Sequence, residues 1–114
     1  MCAVRFTRYY DASQDVVWVA LTEPDSVARW LGPMAGSLDS CVRATEAGSF
    51  LELDWVPPGE QPSVVRLELR ADGAGTVLVL DHRRIDARLG MRAMKLWEGH
   101  LEQLDALLVV VEEE

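Results

Sequence analysis

Residues 95–108 read KLWEGHLEQLDALL, and the spacing of their apolar side chains decides the fold. Extended by one step on each side, the stripe runs Met94, Trp97, Leu101, Leu104, Leu108 and Val111, at intervals of three, four, three, four and three. That is one continuous face of an α-helix, with Lys95, Glu98, Glu102 and Asp105 mostly off it. The spacing predicts a long helix from roughly Arg88 to Val110 that covers a core. Trp97 falls inside the apolar face and His100 at its border. Gly99 lowers helix propensity by about 1 kcal/mol relative to alanine, so a close neighbour is expected to pack against it.

A core-covering helix needs a partner layer, and the residues upstream supply strands. TVLVLDHRRI (76–85) is the strongest strand pattern in the chain, preceded by the hairpin signal DGAG at 72–75. SVVRLELRA (63–71) sets Val65, Leu67 and Leu69 against Arg66, Glu68 and Arg70, and SFLELDWV (49–56) sets Leu51, Leu53 and Trp55 against Glu52 and Asp54. VPPGEQP (56–62) reads as a loop, because its prolines and glycine cannot sit inside a ladder. SCVRATEAG (40–48) is a weaker strand. Near the N-terminus, Val4, Phe6 and Arg8 alternate with Arg5, Thr7 and Tyr9 as a first strand. Two short helices follow. Ser13 is placed to cap the first. Thr22 with Asp25 reads as a capping box for the second, with Pro24 in its first turn and Gly32 and Pro33 as its stop.

The chain has 114 residues, enough for one domain spanning 1–114. Nineteen acidic residues outnumber eleven basic ones, for a net charge of −8. A nucleic-acid partner is not expected without a larger cationic footprint. One local basic cluster, HRRIDARLGMRAMK (82–95), is suited to at most a small anionic group. No secretory signal or apolar run of membrane-spanning length is visible, so a cytoplasmic protein with no membrane partner is expected. Cys2 and Cys41 give neither a disulfide framework nor a metal spacing.

No catalytic constellation is visible. The serines 13, 26, 37, 40, 49 and 63 lack a local nucleophile motif. The two histidines, His82 and His100, have no second ligand at i+4, so no metal is expected. Asp81 and His82 point to opposite faces of a regular strand. His82 continues the parity of Leu78 and Leu80, and two readings stand for it: a group at a cavity mouth, or an imidazole satisfied by backbone or water at a strand end. Arg84 shares that parity and either meets a carboxylate or stays solvated, the latter being the ordinary state of an arginine. Trp30, Trp55 and Trp97 either wall a space for an apolar ligand or fill it themselves. Met91 and Met94 bring adaptable packing at the helix entrance. Val77 and Val79 fall on the opposite face.

Three segments together resemble a known family. VWVALTEPDSVARWLGP (17–33), DGAGTVLVLDH (72–82) and LWEGHLEQLDALL (96–108) are similar to motifs of the family related to the C-terminal domain of the heat-shock protein 90 ATPase activator. That family lies within the START and Bet v 1-like, or SRPBCC, superfamily. The sequence departs from it at Leu96, where glycine is usual, and by a shorter segment after residue 33. The resemblance implies an α+β helix-grip fold: a curved antiparallel sheet of about five strands wrapped on a long C-terminal helix, with two short helices after strand 1. It implies a non-catalytic domain that binds a small hydrophobic or amphipathic ligand without a cofactor, lined by Trp30, Trp55, His82, Arg84, Met91, Met94 and Trp97. The alternatives are a protein-interaction module, co-chaperone-like or dimeric, and a small enzyme of the cyclase or hydratase kind. The shortened sheet leaves an edge strand near Cys41–Thr45, which suggests a homodimer unless GPMAGSLD (32–39) folds back over it.

Overall fold

The computed structural model describes residues 2–31, 42–55 and 62–113. Its sheet is organised around the strongest strand of the sequence, β5 (Gly75–Ile85). The others are β1 (Cys2–Tyr10), β2 (Val42–Glu46), β3 (Phe50–Trp55) and β4 (Ser63–Asp72), in the spatial order β1-β5-β4-β3-β2. Every pairing is antiparallel. Two short helices, α1 (Gln14–Thr22) and α2 (Pro24–Trp30), follow β1, and a 3-10 turn (Ala87–Leu89) leads into α3 (Gly90–Glu113). The architecture is the open five-stranded sheet gripped on a long helix that the sequence implied.

One face of the sheet is buried and the other is polar, as period-two alternation requires. Phe6, Leu51, Leu53, Trp55, Val65, Leu67, Leu69, Leu78 and Leu80 form the buried face. They meet Trp97, Leu101, Leu104 and Leu108 of α3. Each large apolar side chain so placed contributes about 1.5–3 kcal/mol relative to exposure. On the outer face, charges alternate across four strands in register: Arg5, Asp81, Arg66 and Glu52. Val77 and Val79 lie among them, half-buried.

The local signals hold with informative exceptions. Ser13 Oγ accepts from the Val16 amide at 3.3 Å and caps α1. Thr22 is no cap, however. It stays in the last turn of α1, where its hydroxyl donates to the Trp18 carbonyl at 2.8 Å, and Glu23 takes the N-cap of α2 with no side-chain bond. A threonine that can bond back to the i−4 carbonyl does so without leaving the helix. Gly32 and Pro33, Cys41, and nearly all of the 56–62 loop lie outside the described residues.

The long helix begins at Gly90, because Asp86 Oδ1 accepts from the Arg88 amide at 3.0 Å and winds the chain into the 3-10 turn first. At this end the buried face is set by Ala93 and Trp97, four residues apart, while Met94 is 44% exposed. Nothing packs closely at Gly99, where an added Cβ would have no neighbour within 4 Å. Its smallness has no packing counterpart.

Among the described residues β2 is the edge of the sheet, and all five of its residues are exposed; residues 32–39, the alternative cover for that edge, lie outside the described residues. β2 is better protected than its composition implied. A bulge interrupts its pairing at Arg43, and the guanidinium reaches Asp54 at 3.3 Å and Glu52 at 3.9 Å. Short, bulged, charged edges resist further strand addition.

Candidate functional site

His82 stands near the end of β5 on the buried face, only 4% exposed. The structure gives it two partners. The Trp97 indole N–H donates to His82 Nδ1 at 2.9 Å, and His82 Nε2 lies 2.7 Å from Ser63 Oγ. An indole nitrogen can only donate, so Nδ1 must be the acceptor and the proton must reside on Nε2. Nε2–H then donates to Ser63 Oγ, and the Ser63 hydroxyl donates to the Trp55 carbonyl at 3.0 Å. Four groups on three strands and the helix thus form one directed chain in which each donor meets an acceptor.

Aromatic packing encloses it. The Trp55 and Trp97 rings lie 5.0 Å apart at 45°, and the His82 ring meets Trp97 edge-on at 5.9 Å. Burial pushes the His82 pKa down to about 4, with nearby Asp81 pulling weakly the other way. The neutral imidazole is what both hydrogen bonds require.

The same geometry decides what this pair can do chemically. A serine nucleophile needs a base whose free nitrogen faces the hydroxyl. Here the nitrogen facing Ser63 carries the proton, fixed there by Trp97 on the far side of the ring, and the Ser63 proton is committed to a backbone carbonyl. Ser63–His82 is a structural relay and not an activated nucleophile. Among the described residues no three His, Cys, Asp or Glu side chains converge as a metal site.

His100 completes the tie between helices. A carbonyl accepts only, so His100 Nδ1–H donates to the Trp30 carbonyl at 2.9 Å, joining α3 to the end of α2. Its ring meets Trp97 edge-on at 5.4 Å, and burial lowers its pKa. Trp30, Trp55, His82 and Trp97 are therefore assembled in one interior layer, with His100 at its margin.

Three other sequence candidates lie elsewhere. A bulge sets Ala3 of β1 against both Arg83 and Arg84, and Arg84 takes a left-handed φ of +63°. That extra residue breaks the strand parity, so Arg84 faces solvent instead of following His82 inward. Met91 occupies the first turn of α3 and is 78% exposed; Met94 sits beside the buried Ala93 row and is exposed as well. None of the three lines the interior.

Conversely, sequence reasoning passed over three interior polar residues. Ser63 shares the parity of Val65 and Leu67, which was the available signal. Tyr10 likewise continues the parity of Val4 and Phe6. Its hydroxyl is buried against the Asp105 carboxylate, and among the described residues Tyr10 Oη, Asp105 Oδ1 and the Trp30 indole nitrogen have no partner within hydrogen-bond distance. Burial, then the adjacent Asp105 carboxylate, hold the Tyr10 phenol far above its usual range. Asp105 is off the apolar stripe by spacing, and nothing local in the sequence marks it as facing Tyr10.

A family profile described as "Activator of Hsp90 ATPase homolog 1-like protein" matches residues 35–109. The chain belongs to this family. The activator-homologue family is part of the SRPBCC superfamily. CalU16 from Micromonospora echinospora superposes with a TM-score of 0.80 at 24% identity, over 93% of this chain and 75% of that one. MLL2253 from Mesorhizobium loti gives 0.76 at 25% identity, over 94% and 96%. DynU16, described as a protein in the dynemicin biosynthetic locus, gives 0.77 at 19% identity, over 93% of this chain and 46% of its own. Among curated proteins no sequence match is found. These likenesses establish the activator-homologue fold. Among the described residues, no helix is long and apolar enough to cross a membrane.

Proposed function

We propose that this activator-homologue domain is a non-catalytic binder of a small hydrophobic or amphipathic molecule, held between α3 and the concave face of the sheet. The observation that carries the reading is the aromatic layer between α3 and the sheet, where the Trp55, His82 and Trp97 rings pack against one another. Apolar walls with one or two fixed polar groups are what small amphipathic molecules bind. The family's fold supports the reading, because a cavity between sheet and helix is what the resemblance implies. The place of DynU16 in a biosynthetic locus fits a domain that handles small organic molecules. The half-buried free thiol of Cys2 fits the cytoplasm.

Octanol and octylamine test the proposal, read by the intrinsic fluorescence of the interior tryptophans and by thermal unfolding. A saturable fluorescence change is expected. At about a hundred-fold excess over Kd, binding adds ~2.7 kcal/mol, which raises Tm by about 10 °C or more in a domain of this size. An unchanged spectrum and an unchanged Tm up to the solubility of both probes would overturn it.

A homodimer through β2 is the second reading, favoured by the full exposure of Val42–Glu46. The bulge at Arg43 leaves only Ala44–Glu46 in regular pairing with β3, so the expected association is weak. Sedimentation at micromolar concentration checks it: a single species at 12.7 kDa removes the dimer.

A further inference from the structure

The corner where β5 hands over to α3 has an outer surface unlike the rest of the molecule. Between positions 83 and 95 lie five of the chain's eleven cations, Arg83, Arg84, Arg88, Arg92 and Lys95, and one of its nineteen acids, Asp86. All five cationic residues are exposed. Arg83 reaches Glu52 at 3.5 Å and Arg88 is held by Asp86 at 2.9 Å. Arg84, Arg92 and Lys95 have no ion-pair partner among the described residues. The rest of a chain with net charge −8 is therefore strongly acidic around one cationic corner.

Apolar side chains share that corner. Met91 is 78% exposed, Met94 44% and Leu96 44%. On a helix, Met91 lies beside Lys95 and Arg92 beside Leu96, each pair four residues apart. Met91 and Lys95 lie opposite the buried Ala93–Trp97 row in the first two turns of α3, flanked by Met94 and the acid Glu98 on one side and by Arg92 and Leu96 on the other. Solvated helices ordinarily show polar residues there.

The backbone adds an independent sign. Arg84 holds a left-handed φ of +63°, a conformation costing a non-glycine residue on the order of 1 kcal/mol. The bulge that imposes it turns two successive arginines outward where regular pairing would have buried one. Bulges that re-aim side chains cluster at functional positions.

We infer that the β5–α3 corner is a docking surface for an acidic protein segment carrying apolar side chains. The unpaired cations meet the carboxylates, and Met91, Met94 and Leu96 supply adaptable apolar contact. Charge complementarity selects an anionic partner, and the distribution of charge selects a narrow one. An anionic bilayer would lie against a whole side of a body about 25 Å across, bringing many of the remaining acids within a Debye length of about 8–10 Å. A single segment touches the corner alone. The inference is independent of the interior ligand and goes beyond it.

Fluorescein-labelled peptides of repeated Glu-Glu-Leu, with matched Gln-Gln-Leu and Lys-Lys-Leu controls, provide the test by anisotropy on the whole chain. The acidic peptide alone is expected to bind, with affinity falling as salt rises from about 50 to about 300 mM. Replacing the three unpaired cations (Arg84→Ser, Arg92→Ser, Lys95→Ser) should weaken binding by about tenfold or more. A Met91→Ser, Met94→Ser variant, which leaves charge untouched, should weaken it as well. All of these residues are exposed, and unchanged Tm in the variants separates lost docking from lost fold. Equal binding of the three peptides, undiminished binding by either variant, or a preference for phosphatidylserine vesicles over the acidic peptide would overturn the assignment.

Discussion

Trp97→Ala is expected to destabilise the domain by about 3–5 kcal/mol, the range for large-to-small changes in a packed core. Trp97 is 1% exposed and packs its ring against Trp55 at 5.0 Å. Removing it opens a cavity between helix and sheet and also strips His82 Nδ1 of its donor. Both effects act in the same direction, in a domain whose whole stability should lie in the usual range of about 5–15 kcal/mol. Trp97→Phe separates them. It keeps most of the packing and deletes the indole N–H, so its cost should fall nearer the ~1–3 kcal/mol of a buried acceptor left alone. Urea denaturation followed by circular dichroism measures both. A loss below about 1 kcal/mol for the alanine variant would mean that the indole lines open space, contradicting its burial against Trp55 and His82.

The spacing of residues 94–111 made the helix legible, and alternation in β3, β4 and β5 made its partner face legible, because both rest on periodicities that burial enforces. The site was legible only in part, and for a physical reason. Trp30, Trp55, His82 and Trp97 obey the local period and lie in the buried interior. Arg84 shares the parity of His82, yet one inserted residue in the ladder turns it to solvent, the second of the two readings its sequence position offers. Met94 has a helical phase that fits the stripe, yet Ala93 lies closer to the sheet at that end. Ser63 had the right parity and was passed over because a lone serine carries no motif; only the cross-strand approach of His82 gives it a role. The Tyr10–Asp105 juxtaposition joins the first strand to the last helix, and no local pattern in a single sequence encodes such a meeting.

The acid response of the domain should be governed by His82. Its ordinary pKa is 6.5, and burial lowers it to about 4 in the folded protein. Above pH 6.5 the imidazole is neutral in both states and imposes no pH dependence. Between 6.5 and about 4 the unfolded chain takes up a proton that the folded one refuses, so stability falls as pH falls. At about 1.36 kcal/mol per pKa unit, the loss across that window amounts to at most about 3 kcal/mol, and below pH 4 this contribution is flat. His100, lowered by the same cause, adds to the slope in the same direction. The carboxylates of Glu68 and Asp86, held below their usual range by Arg70 and Arg88 respectively, lose their contribution from about pH 4.5 and 3.8 downward, so they overlap only the acid end of this window. Geometry explains why the folded state refuses the proton. A charged His82 would carry hydrogen on Nδ1 and set it against the Trp97 N–H at 2.9 Å, donor against donor. His82→Gln offers an amide oxygen to Trp97 and an amide N–H to Ser63 without a titrating group. That variant should keep the fold at pH 7 at a cost of about 1–3 kcal/mol and lose most of the slope between pH 4 and 6.5. Urea midpoints measured in half-unit steps of pH across the two proteins decide the matter. A slope that survives intact in His82→Gln would assign the acid lability to other groups, and a folded protein indifferent to pH from 6.5 to 4 would mean that His82 is reached by water and takes its proton in place.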